Sequence, residues 1–230
     1  MNKKLLIMTI MLALAAVAFA QPAKTFLAEL TGDSTGVIIT KYNGNAISVN
    51  IPATLEGLPV KGIGKGAFKD NIAINKITIN KGVTEIQADA FKGCRGLSSI
   101  ILPDTLVKIG PGAFDNTGLA AITIPAGCKE LGDGAFANAG KLKTITLPAS
   151  FTTIPANTFS NCIALTTVGL PASIKKIDSK AFSGCTALTA INIPASVTAI
   201  TFASDVFVGC SKINLGTQVS LKKLGYTGTF

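Results

Sequence analysis

Leu142-Lys143-Thr144-Ile145-Thr146-Leu147-Pro148 sets apolar residues at alternate positions and closes on a proline. Alternation at period two is the pattern of a strand with one buried face, so Ile145 and Leu147 point inward while Thr144 and Thr146 point outward. Proline ends the strand because it has no N–H to give the ladder. The same pattern stands at Leu97 to Pro103, Leu119 to Pro125, Leu165 to Pro171 and Leu188 to Pro194. One step earlier, Asn80 takes the place of the proline.

Working outward, each stretch is preceded by a phenylalanine. Phe68, Phe91, Phe114, Phe136, Phe159, Phe182 and Phe207 are separated by 23, 23, 22, 23, 23 and 25 residues, and Ala precedes five of them. After each proline comes a turn and a second apolar pair three residues apart, such as Leu106 and Ile109 or Ile174 and Ile177. A unit of this kind buries nothing on its two lateral faces, and only stacked neighbours complete its core. The expected fold is a mainly parallel β solenoid of about seven 23-residue units. The seven Phe residues form a spine inside it and not an aromatic binding strip. The 22-residue step arises because Phe114 to Leu119 is one residue short, and the 25-residue step from two extra residues within Thr201 to Asp205.

The repeated motif, Leu-x-x-Ile-x-Ile-Pro-x-x-Val-x-x-Ile-x-x-x-Ala-Phe-x-x-Cys, resembles that of the BspA-like leucine-rich repeats of bacterial secreted and surface proteins, over Val60 to about Ile213. Gly36 to Thr40, Asn50-Ile51-Pro52 and Leu58 to Gly64 look like the family's usual lead-in. The departures are Asn80 for Pro, Thr158 and Val206 for Ala, and Asn71, Thr117 and Ala139 for Cys. The resemblance implies a curved leucine-rich-repeat solenoid with a parallel sheet on the concave wall and short strands or turns on the convex one. It also implies protein binding, with adhesion to host extracellular matrix as the family analogy.

Solenoid ends need covers. Residues 21–59 are expected to form an N-terminal β cap, a hairpin whose runs Val37-Ile38-Ile39 and Ile47 to Ile51 turn at Asn43-Gly44-Asn45. Repeats fill residues 60–213, and residues 214–230 form a C-terminal cap with a short helical turn over Gln218 to Gly225. Residues 1–20 read as a signal peptide: Lys3 and Lys4, an apolar run from Leu5 to Phe19, and Ala18-Phe19-Ala20 before Gln21. Cleavage after Ala20 leaves no retained membrane segment and an exported protein, secreted, periplasmic or at the cell surface. A monomer is expected.

The formal net charge is +9, and loss of Lys3 and Lys4 with the leader leaves +7. That balance favours acidic surfaces such as acidic glycans without naming one. The basic residues gather towards the N-terminal end, at Lys61, Lys65, Lys69, Lys76, Lys81, Lys92 and Arg95. With no Trp and two Tyr, the stacking platforms of single-stranded nucleic-acid binders are missing, and nucleic acid is not an expected partner.

The chain contains no histidine, which removes Ser-His-Asp and Cys-His catalysis and the commonest metal ligand. Asp104, Asp115, Glu130, Asp133, Asp178 and Asp205 fall at variable repeat positions without a recurring pair. No enzyme, metal or cofactor is expected. Cys94, Cys162, Cys185 and Cys210 each lie three residues after a Phe, the signature of a buried ladder of small apolar groups. Reduced thiols are the expectation, although Cys162, Cys185 and Cys210 occupy consecutive coils within the reach of a bridge. Cys128 replaces an apolar residue of the convex wall.

The remaining regular surface is the outward row of the concave strands. Its candidate binding residues are Lys76, Thr78, Ser99, Ile101, Ala121, Thr123, Thr144, Thr146, Thr167 and Asn192. The face is small and Thr-rich, with a patch around Ile101, Ala121, Thr123 and Thr144 suited to a protein segment or a small apolar group. Thr also simply suits a solvent-facing strand position. A structural scaffold with no host partner is the other reading.

Overall fold

The computed structural model describes residues 25–230; the expected leader, residues 1–20, lies outside the described residues. The lead-in carries β1 (Phe26–Leu30), β2 (Val37–Tyr42), β3 (Ser48–Ile51), β4 (Thr54–Leu55) and β5 (Leu58–Ile63). Twelve short strands follow, two per coil: β6 (Lys76–Ile79), β7 (Glu85–Ile86), β8 (Ser99–Ile101), β9 (Lys108–Ile109), β10 (Ala121–Thr123) and β11 (Glu130–Leu131). Then come β12 (Thr144–Thr146), β13 (Thr153–Ile154), β14 (Thr167–Gly169), β15 (Lys176–Ile177), β16 (Ala190–Asn192) and β17 (Thr201–Phe202). One helix, α1 (Leu215–Lys223), closes the described chain.

Even-numbered strands from β6 onward stack in a first wall with β3, and odd-numbered ones in a second wall with β5. Pairing between coils is parallel throughout, so each residue faces its counterpart one unit away: Ile77 faces Ile100, Ile122 faces Ile145, and Val168 faces Ile191. The two walls enclose one continuous hydrophobic core.

Between the walls runs the spine. Tyr42, Phe68, Phe91, Phe114, Phe136, Phe159, Phe182 and Phe207 stack with ring centroids 5.1 to 5.8 Å apart and planes within 27° of parallel. Each Phe from Phe68 to Phe182 is held by a backbone ladder along a third ridge. Phe91 N donates to Ala113 O, Phe114 N to Ala135 O and Phe159 N to Ala181 O, all at 2.8 Å. From Phe68 to Phe182 the chain bends at the residues two before and two after each Phe, which take left-handed φ: Asp89 (57°), Asn116 (57°), Asn138 (56°), Asn157 (56°), Asn161 (59°) and Lys180 (56°) among them, with glycine at most of the rest. Asn and Asp tolerate this region better than other side chains, and Lys180 is the departure.

The cysteine position completes the core. Cys94, Cys162, Cys185 and Cys210 each donate Sγ–H to the carbonyl of the Phe one coil back, at 3.0 to 3.1 Å. Thr117, standing where Cys is expected, instead donates its hydroxyl to Phe114 O in its own unit at 3.0 Å. Thr158, in an Ala position, is fully buried and donates to Pro155 O at 2.7 Å. All five cysteines are free and buried.

The N-terminal hairpin differs from the expected one. β1 pairs antiparallel with β2, while β3 joins the other wall, parallel to β6. The Asn43-Gly44-Asn45 signal is therefore a crossing between walls and not a hairpin turn. A Cβ on Gly44 would collide with the Tyr42 ring, so the glycine is there for close packing over the first ring of the spine. The turn that does close a hairpin is Glu56-Gly57, both at positive φ, between β4 and β5. The expected cap boundary at residues 59 and 60 falls inside β5.

At the other end α1 begins three residues before the expected turn, because Asn214 caps it by accepting from Thr217 N at 2.9 Å. Asn214 N and Nδ2 both reach Thr189 O at 2.9 Å, placing the helix where another first-wall strand would pair. Gly225 follows the helix at φ 109°. Tyr226 then meets Phe207 edge-on, centroids 5.1 Å apart at 86°. Its hydroxyl donates to Thr229 O at 2.6 Å.

Candidate functional site

Period-two alternation puts the outward residues of the first wall in two rows, and the pairing aligns them. Lys76 lies opposite Ser99, and Thr78 opposite Ile101. Ala121 and Thr123 lie opposite Thr144 and Thr146; Thr167 and Asn192 belong to the third block, opposite Ala190 and Gly169. Apart from half-buried Thr78, the candidate residues are exposed. The structure therefore brings all ten to one face, in three hydrogen-bonded blocks: β3-β6-β8, β10-β12 and β14-β16.

The breaks between blocks are unequal. Between β12 and β14 the bond from Thr166 N to Lys143 O survives at 3.3 Å. No backbone hydrogen bond joins β8 to β10, although the strands remain neighbours. This break falls in the coil that is one residue short. There Gly118 N donates to Cys94 O at 3.2 Å, and a Cβ on Gly118 would strike the Arg95 carbonyl oxygen, as one on Gly96 would strike the Ile72 carbonyl oxygen a coil earlier.

A depression of about 520 Å³ opens at the break, lined by Ile100, Ile101, Leu102, Asp104, Ala121, Ile122, Thr123, Pro125 and Ala126. Ile101 is 51 % exposed, the one aliphatic in a row otherwise of Thr, Asn and Gly. Ile100 is only half-buried, whereas its counterparts Ile122, Ile145, Val168 and Ile191 are buried. The sequence reading placed Ile101, Ala121 and Thr123 here but missed Ile100, Leu102 and Asp104; of these, Ile100 alone is more open than its counterparts in other coils, at the broken pairing.

Charged side chains pair locally over both walls and the ridge. Asp104 pairs with Lys81 at 3.1 Å, Glu130 with Lys108 at 3.0 Å and Asp178 with Lys176 at 2.7 Å. Lys92 pairs with Asp115 at 3.0 Å, and a hydrogen bond from that carboxylate holds the ammonium pKa above its usual value. Two of the basic residues gathered near the N-terminal end, Lys81 and Lys92, thus already have acidic partners. Among the described residues no group of three or more His, Cys, Asp or Glu side chains could hold a metal. Burial pushes the Cys94 and Cys162 thiols up to about 12, and the Cys128 thiol to about 11, the opposite of what a nucleophile needs.

Short parallel strands on two walls, around stacked rings spaced one per 22 to 25 residues, define a leucine-rich-repeat solenoid. The chain belongs to the BspA type leucine rich repeat family, whose model matches in six copies over residues 61–185 and 108–227. It is similar to the crystal structure of a Treponema pallidum (T. pallidum) leucine rich repeat protein, TpLRR, at 34 % identity and a TM-score of 0.86, covering 91 % of this chain and 98 % of that one. A leucine-rich repeat protein from Bacteroides ovatus shares the fold at 23 % identity and a TM-score of 0.59, over 85 % of this chain and 70 % of that one. The pneumococcal vaccine antigen PcpA does so at 21 % and 0.63, over 80 % and 52 %. No curated protein matches the chain. The repeat family is typically non-catalytic and serves as a protein-interaction module. Among the described residues no helix is long and apolar enough to cross a membrane.

Proposed function

We propose that this protein is an exported, non-catalytic interaction module that binds another protein through the outward rows of its first wall. The observation that supports this best is the open depression around Ile101 on the regular exposed face of the first wall. Elsewhere that face offers small side chains over which a partner's main chain approaches closely, without large anchors of its own. Residues 1–20 would be removed on export, leaving the cap, repeats and C-terminal cap. Adhesion to host extracellular matrix or cell surface is the role favoured by family analogy.

The test is a pull-down of matrix proteins by residues 21–230, beside the double variant Ile101→Glu with Thr123→Arg. Capture by the parent and loss in the variant supports the reading. Equal capture by both overturns the choice of face. Protease treatment of intact cells separates an outer-surface protein, which is digested, from a periplasmic scaffold, which is protected. The depression also favours a second reading, a small apolar ligand.

A further inference from the structure

Resting on the reading of the first wall as a recognition face, we propose that the break between β8 and β10 is a peptide-docking slot. An extended segment of the partner would set one uncharged apolar side chain into the depression and bond its main-chain amides to strand groups that the adjacent coil leaves free. Three observations select this occupant. The first is the lost ladder. β12 and β14 keep only the flanking bond from Thr166 N to Lys143 O, and β8 and β10 exchange none at all, so main-chain donors and acceptors border an apolar hollow. A hydrocarbon ligand covering them would bury unpaired polar groups, which costs free energy; a peptide brings the complementary ones.

The second is the lining. Half-buried Ile100 and Leu102 and exposed Ile101 form an aliphatic floor and rim, and Ala121 and Thr123 are small enough to let a backbone approach. The third is charge. Asp104 is the one ionisable residue of the lining, and Lys81 already neutralises it at 3.1 Å. An acidic glycan would meet that carboxylate, and a basic side chain would have to displace Lys81, so a neutral segment fits best.

The break coincides with the one coil that lacks a residue between its Phe and Leu, Phe114 to Leu119. Its probe is a capped pentapeptide of alternating threonine and valine with phenylalanine at the centre, titrated into 15N-labelled residues 21–230 and followed by amide shifts. Shifts gathered at 99–102 and 121–125, and at least tenfold weaker binding by the same peptide N-methylated at alternate amides, are expected. A one-residue glycine insertion between Thr117 and Gly118 should slow hydrogen exchange at Ala121 and Thr123 and abolish the shifts. Ile101→Gln, which leaves the core untouched, should weaken binding at least tenfold. Shifts elsewhere or none, equal binding by the N-methylated peptide, or unchanged binding by the Ile101 variant would overturn the slot. If the pull-down partner is lost on Ile101→Glu with Thr123→Arg while the pentapeptide leaves the seam unmoved, the recognition face stands and the slot falls.

Discussion

Between Phe91 and Phe136 the same coils carry two ladders that behave differently. Along the ridge, Phe91 N to Ala113 O and Phe114 N to Ala135 O both measure 2.8 Å, as in coils of regular length. On the first wall, the bonds from β8 to β10 are gone. The rings are as indifferent to the change: centroids flanking Phe114 are 5.3 Å apart on both sides. A deletion in this solenoid is absorbed away from the aromatic ridge, where each ring is buried between two others, and expressed on the wall, where outward side chains meet solvent. The core tolerates no gap, and the surface turns one into a feature.

The contrast is broken hardest at the ridge. Phe136→Ala or Phe159→Ala should cost about 3–5 kcal/mol in urea unfolding, because the cavity lies between rings with no mobile group to fill it. The bends bracketing the rings come next. Asn138→Val forces a β-branched residue to φ 56° and should cost about 1–3 kcal/mol, while Asn138→Gly retains most of the stability.

The thiols give a pH dependence. Cys162 is raised in the folded state to about 12 by burial from an ordinary value of 9.0, so its contribution is present below pH 9 and lost as pH rises towards 12. Unfolding measured at pH 8 and pH 10 should show about 1 kcal/mol lost to this group, absent in Cys162→Ala. The smallest effect is on the second wall. Where Gly110, Gly132 and Asp178 each donate a backbone N–H to the preceding coil, Pro155 has none, and β11 and β13 are unpaired. Pro155→Ala should introduce a protected amide at 155, read by hydrogen exchange, with stability changed by less than about 1 kcal/mol as the regained bond offsets the lost rigidity.

Much of this architecture was legible in the sequence. The wall strands, the spine and the buried Cys position follow from one recurring step, since only a stack of equal units keeps the same residue inward at the same interval. The bends at Asp89, Asn138 and Asn161 were missed, though a signal existed: Gly, Asn or Asp stands two residues from nearly every ring. At the N-terminus Asn43-Gly44 imitates a hairpin turn, because a glycine required by a neighbouring ring and one required by φ look alike in sequence. The rows of the candidate face were readable from alternation. The depression was not: the short coil was visible in the spacing, but its effect depends on which backbone bonds fail downstream.

Beyond Phe207 the stack of rings passes from the repeats to the C-terminal cover, which supplies Tyr226 and Phe230. Parallel rings can be added to a stack indefinitely, since each presents to the next coil the face it received from the last. At Phe207 the run of repeat rings ends: Tyr226 meets it edge-on and ties its hydroxyl to Ser204 O and Thr229 O, while Phe230 lies against the same ring at 6.0 Å and 24°. Copy number is thereby separated from both termini. Duplicating an internal unit from one Phe to the next would lengthen the recognition face by one rung while leaving the first ring, the last ring and their covers as they are.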